Sequence, residues 1–104
     1  MRVLFDQGTP APLRHSLAEH LVETAFERGW ANLKNGDLIS LAEEAGFAVF
    51  ADRNLKYQQN LAARSLSIVV LRSTSWPRIQ RAIPAVLAAI NGATPGGYVK
   101  VAID

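Results

Sequence analysis

With 104 residues, 49% of them apolar, and no cysteine, the chain has room for one globular core and nothing to staple it with or to build thiolate metal sites from. The formal charge of +2, spread over eleven scattered lysines and arginines, is too small to imply a nucleic-acid partner by itself. No apolar run reaches the roughly 18 residues of a membrane span, so no membrane partner is expected, and a place in the reducing cytoplasm is.

Residues 2–6 (RVLFD) read as a short buried strand that ends on Asp6. Thr9 is placed to cap a helix starting with Pro10, where a missing N–H costs nothing, and Leu13, Leu17 and Leu21 give that helix an apolar stripe. Residues 20–25 (HLVETA) alternate as a second strand, followed by FERGWANLKNG, irregular or a short helix, with Trp30 as an apolar anchor. The next helix is expected from Asp37 to Ala45, with Leu38, Ile39, Leu41, Ala42 and Ala45 as its stripe and Gly46 to stop it. Residues 47–51 (FAVFA) form an apolar strand that again ends on an aspartate, Asp52.

Residues 55–63 suit a short helix, and residues 67–71 (SIVVL) are the purest strand signal, fit for a sheet centre. Ser75 is placed to cap a helix carrying Trp76, Ile79, Ile83, Val86, Leu87 and Ile90. Pro84 should kink or split that helix. Asn91–Gly92 stops it, and residues 98–103 (YVKVAI) alternate as an edge strand. Strand and helix alternate throughout, which predicts one α/β domain with a five-stranded parallel sheet, helices on both faces and the first strand at its centre.

In parallel sheets, ligands bind beyond the C-terminal ends of the strands, where the strand order reverses. Asp6 and Asp52 close two strands on that edge, and Asp37 begins a helix that should start there. Gathered carboxylates repel one another unless a cation compensates, and a hard divalent ion such as Mg²⁺ or Mn²⁺ suits oxygen ligands. Metal-assisted hydrolysis of a phosphodiester is the chemistry that follows, with Asp6, Asp37 and Asp52 as catalytic metal ligands. The bland alternatives are specific. Asp6 can bond the Gly8–Thr9 turn, Asp37 can serve the helix dipole, and Asp52 with Asn54 can form an Asx-type cap.

The stretch DRNLKYQQNL (52–61) places Asn54 to hold the cation or its water, with Arg53, Lys56 and Gln58 toward substrate and Arg72 as a further phosphate contact. Its alternative is a solvated polar helix. Glu43 and Glu44 are expected to face solvent, His15 and His20 to be surface or strand-edge residues, and Trp30 and Trp76 to be core or interface anchors rather than base-stacking platforms. The apolar last helix and the edge strand suggest a homodimer.

The pieces VLFDQGTP, NGDLISLAEEAGFAVFADRNLKYQQNL and SIVVLR, spanning most of residues 3–72, resemble the small PIN-like domains of unknown function related to VapC-type toxin ribonucleases. The resemblance implies a three-layer α/β/α sandwich and a Mg²⁺- or Mn²⁺-dependent ribonuclease acting on RNA, with an antitoxin protein as partner. In it Asp6 matches the first metal-binding acid, Asp37 the helical acid and Asp52 the acid after the third strand. The chain departs from the pattern at Gln7 and Ala51 and lacks a fourth acid, for which Asn54 is the nearest replacement.

Overall fold

The computed structural model describes residues 1–6, 8–52, 64–73 and 75–103. In chain order it forms β1 (Arg2–Phe5), a 3-10 helix (Ala11–Leu17), β2 (Leu21–Thr24), α1 (Asn35–Glu44) and β3 (Val49–Asp52). Then come β4 (Ser67–Leu71), α2 (Trp76–Arg81), α3 (Ile83–Asn91) and β5 (Tyr98–Val101). The strands make one sheet in the order β2-β1-β3-β4-β5, every neighbouring pair parallel. β5 is an edge strand as expected, but the centre of the sheet is β3 and not β1, which lies one place from the opposite edge because β2 pairs with its free side.

The strands read as continuous apolar runs because helices cover both faces. Val3, Phe5, Val49, Ala51, Val69 and Leu71 point to one side, where they meet Leu13 and Leu17 of the 3-10 helix, Ile79 of α2 and Val86 and Ile90 of α3. Leu4, Phe50, Ile68 and Val70 point to the other, against Leu38, Ile39 and Ala42 of α1. The result is a three-layer sandwich. Each fully buried Phe, Leu or Ile in it contributes about 1.5–3 kcal/mol relative to exposure.

Pro84 does split the last helix. It lies in the first turn of α3, where its missing N–H is harmless, and Ala82 (φ −103°, ψ 9°) is the break between α2 and α3. Trp76 and Ile83 pack partly buried against the core, and Ile79 is fully buried. Two expected caps are not made. Ser75 occupies the N-cap position of α2 without a side-chain bond, and the 3-10 helix has Pro10 at its N-cap because Thr9 is used elsewhere. The expected helix at 55–63 lies outside the described residues.

Charged groups fasten the sheet's first half. Arg2 donates to the Ala45 carbonyl and to Glu23 (3.2 Å), and its guanidinium lies 4.4 Å from the centre of the Phe47 ring. Arg28 meets the other Glu23 oxygen at 3.5 Å and stacks 4.6 Å from Trp30, which packs edge-on against Phe47. Trp30 is thus the anchor the sequence predicted. Glu43 is not a solvated residue: it accepts from the Ser65 N–H (2.8 Å) and pairs with Arg64 (3.6 Å), tying α1 to the approach to β4. At the approach to β5, Gly97 admits no side chain, since a Cβ there would sit 2.9 Å from the Thr94 carbonyl oxygen.

Phe50 is fully buried in the central strand. Phe50→Ala should lower stability by about 3–5 kcal/mol in denaturant unfolding, while Val99→Thr on the exposed side of β5 should change it by less than about 0.5 kcal/mol.

Candidate functional site

The strand order reverses direction between β1 and β3, and both candidate strand-end acids are at that point. The β1–β3 register pairs Leu4 with Phe50 and Phe5 with Ala51, so its continuation sets Asp6 beside Asp52. The Asp6 N–H confirms this by donating to the Ala51 carbonyl at 3.0 Å. Adjacent strands lie about 4.8 Å apart, which brings the two backbones as close as any neighbours in a sheet. Asp52 is the last residue of β3 rather than the residue after it, pairs with Val70 and is only 5% exposed. By the pleat it shares the α1 face with Phe50.

Asp6 is half-buried and turned into its own loop. One carboxylate oxygen accepts the Gly8 N–H at 3.1 Å and the other accepts the Thr9 hydroxyl, while the Thr9 N–H returns to the Asp6 carbonyl at 3.3 Å. The turn role considered for Asp6 is therefore real. It leaves further acceptor capacity, because a carboxylate offers about four lone-pair sites. Thr9 is 5% exposed, and its hydroxyl also lies 3.1 Å from the Ala51 carbonyl oxygen. It has a single proton, so it serves Asp6 and Ala51 one at a time. Either way it joins the ends of β1 and β3.

Asp37 is exposed in the first turn of α1, where its charge suits the helix dipole. That turn starts from the C-terminal edge, since α1 leads back to the beginning of β3. Among the described residues, no three His, Cys, Asp or Glu side chains form a group that could hold a metal ion. What the fold sets side by side is a pair, Asp6 and Asp52. A pair is enough in chemical terms: Mg²⁺ is commonly held by one or two carboxylates, with water or phosphate completing its shell. Arg53, Asn54, Lys56 and Gln58 lie outside the described residues, and Arg72, just past β4, is exposed. His15 is exposed, and His20 spans Asn91 (2.7 Å) and the terminal amine (3.2 Å), a surface role as expected.

The end of β2 carries an arrangement that sequence reading missed. Thr24 and Glu27 bond reciprocally: the Thr24 N–H reaches Glu27 Oε1 at 2.9 Å and the Glu27 N–H reaches Thr24 Oγ1 at 3.0 Å. The Thr-x-x-Glu spacing of a capping box was the available signal. Arg14 of the 3-10 helix grips the same carboxylate with two N–H groups, at 2.7 and 3.3 Å. Hydrogen bonding from Arg14, aided by the Thr24 N–H, pulls Glu27 down from 4.5 to about 2, and the same pairing pushes Arg14 up.

Comparison with known proteins finds no matching family model, no matching curated protein and no matching solved structure. Among the described residues, no helix is long and apolar enough to cross a membrane.

Two outcomes follow. Thr9→Val keeps the shape but removes the hydroxyl, and should cost about 1–3 kcal/mol in denaturant unfolding, with Thr9→Ser recovering most of it. Glu27 has a depressed pKa in the folded chain, so its stabilisation is complete above the ordinary glutamate range and fades as pH falls toward about 2. The stability gap between wild type and Glu27→Gln should therefore be constant near neutrality and close on acidification below about pH 4.5.

Proposed function

We propose that this chain is a Mg²⁺- or Mn²⁺-dependent ribonuclease that works at the C-terminal edge of its sheet. The observation that carries this reading is the adjacency of Asp6 and Asp52 at the point where strand order reverses. In this reading the two carboxylates hold the cation, Asp37 contributes from the start of α1, and Asn54 supports the cation or its water. A bound divalent ion would activate water and neutralise charge on the phosphate oxygens. The chain's own part is to fix the acids. Thr9 and the Gly8 N–H orient Asp6, and the buried end of β3 holds Asp52 away from bulk water, where its charge acts more strongly. Arg53, Lys56 and Gln58 are proposed to meet the RNA backbone.

The resemblance of the opening and middle motifs to PIN-like domains extends this to a toxin paired with an antitoxin protein. Leu21 and Phe26, 70% and 75% exposed, are the large apolar side chains that such a partner, or a second copy in a homodimer, would cover. A second reading is a non-catalytic PIN-like module that binds RNA or protein through the same edge. It is favoured by the engagement of both Asp6 oxygens within their own turn.

The test is cleavage of single-stranded RNA with added Mg²⁺ or Mn²⁺. Asp6→Asn and Asp52→Asn, which keep shape and remove charge, should each slow it by at least about 100-fold, and Asp37→Asn by about 10-fold. A wild-type protein inert with both metals would leave the non-catalytic reading in place.

A further inference from the structure

The chain divides its charge between its two halves. Eight of its nine acids lie at or before Asp52, and between Asp52 and Asp104 there is no acid at all. The structure turns this division into a spatial one. The first half builds β2, β1 and β3, while the second builds β4 and β5 at the other end of the sheet and α2 and α3, which share one face with the 3-10 helix. The cations of the first half are largely answered: Arg2 and Arg28 by Glu23, and Arg14 by Glu27. In the second half Arg64 is answered by Glu43, but the four described cations beyond it are not. Arg72, Arg78, Arg81 and Lys100 are all exposed, and none forms an ion pair with another described residue.

Their placement is ordered. Asp52 pairs with Val70 and Val70 with Lys100, so Lys100 stands in the same cross-strand row as the acid pair, two strands along, or about 10 Å. Arg72 follows at the end of β4, its N–H bonded to the Val101 carbonyl at 3.2 Å, next to Lys100. From that edge α2 departs, carrying Arg78 and Arg81 three residues apart and hence as surface neighbours.

We infer that the β4–β5 end of this edge, with Arg72, Lys100, Arg78 and Arg81, is a binding surface for the phosphate backbone of single-stranded RNA. Spaced, solvated cations that have no ion pair among the described residues attract a polyanion by releasing its counterions. An anionic membrane fits less well. Ile79, Val86 and Ile90 of α2 and α3 are buried against the core, so the largest part of the apolar surface of these helices is withheld from lipid. The inference rests on RNA as the ligand of the proposed site and not on its cleavage.

Binding of a fluorescein-labelled single-stranded RNA oligonucleotide, followed by anisotropy in EDTA across a salt series, tests it. Wild type should bind at low salt and weaken steeply as salt rises. Arg72→Gln/Lys100→Gln and Arg78→Gln/Arg81→Gln should each weaken binding by about 10-fold or more and flatten the log–log salt slope by about 1.4, the loss of two contacts at about 0.7 each. Lys34→Gln, which removes an exposed cation from the acidic half, should have little effect. Far-UV circular dichroism establishes that the variants fold. Unchanged affinity in both arginine variants, an equal loss in Lys34→Gln, no RNA binding by wild type, or preference for phosphatidylserine vesicles over RNA would each overturn the inference. The two proposals fail separately. Absent cleavage with RNA binding retained removes the ribonuclease alone, and cleavage with binding untouched by the arginine variants removes this surface alone.

Discussion

Everything in this fold hangs on the pairing of β1 with β3. The two strands contribute Val3, Leu4 and Phe5 against Val49, Phe50 and Ala51, so a ladder of only a few residues supplies both hydrophobic cores at once. Backbone groups on such strands have no access to water, and the parallel ladder must satisfy them. One residue further on, the apolar rule breaks on both strands together, at Asp6 and Asp52. A charge at the end of a buried strand is costly unless it is hydrogen-bonded, and for Asp6 the Gly8 N–H and the Thr9 hydroxyl do this. The same bonds hold the loop that carries the chain over the sheet edge.

Much of the architecture was legible because parallel strands covered on both faces have a plain sequence signature. SIVVL could hardly be anything else, and RVLF, LVET and YVKV followed from their spacing. The break at Pro84 was equally readable, since a missing N–H acts locally. The caps were not. Thr9 and Ser75 stand in good capping positions, yet the N-cap of the 3-10 helix is Pro10, and the Thr9 hydroxyl is turned to Asp6 in its own turn and to the Ala51 carbonyl of β3, far away in sequence. Tertiary partners also explain Glu43, whose helix position suggested solvent while its carboxylate reaches Ser65 and Arg64 across the fold.

The candidate site was legible in part for the same reason. Strand-end position is a local property, and it correctly set Asp6 and Asp52 on one edge. Their closeness depended on strand order, which alternation alone does not give. Asp37 is a helix residue, and its side chain's direction depends on how α1 rolls against Leu4 and Phe50, a matter of packing rather than pattern. The division of charge between the halves of the sheet is clear in the sequence only once the order β2-β1-β3-β4-β5 gives it two sides.

Gly97 has a consequence for that charge. A parallel edge strand is held on one side only, and sliding by a single residue exchanges the side chains on its two faces. Here the slide is obstructed. The turn before β5 closes with the Gly97 N–H on the Thr94 carbonyl at 2.9 Å, in a space where a Cβ does not fit, and the Gly97 carbonyl receives the Ile68 N–H. Shifting the chain by one would force Gly96 or Tyr98 into this slot, and Tyr98 cannot enter it. Slippage in the other direction would give up the φ of +75° that Gly96 supplies to the turn. A residue without a side chain thus acts as a ratchet tooth for the outermost strand, and it is what keeps Lys100 in the row of Asp52 rather than on the opposite face.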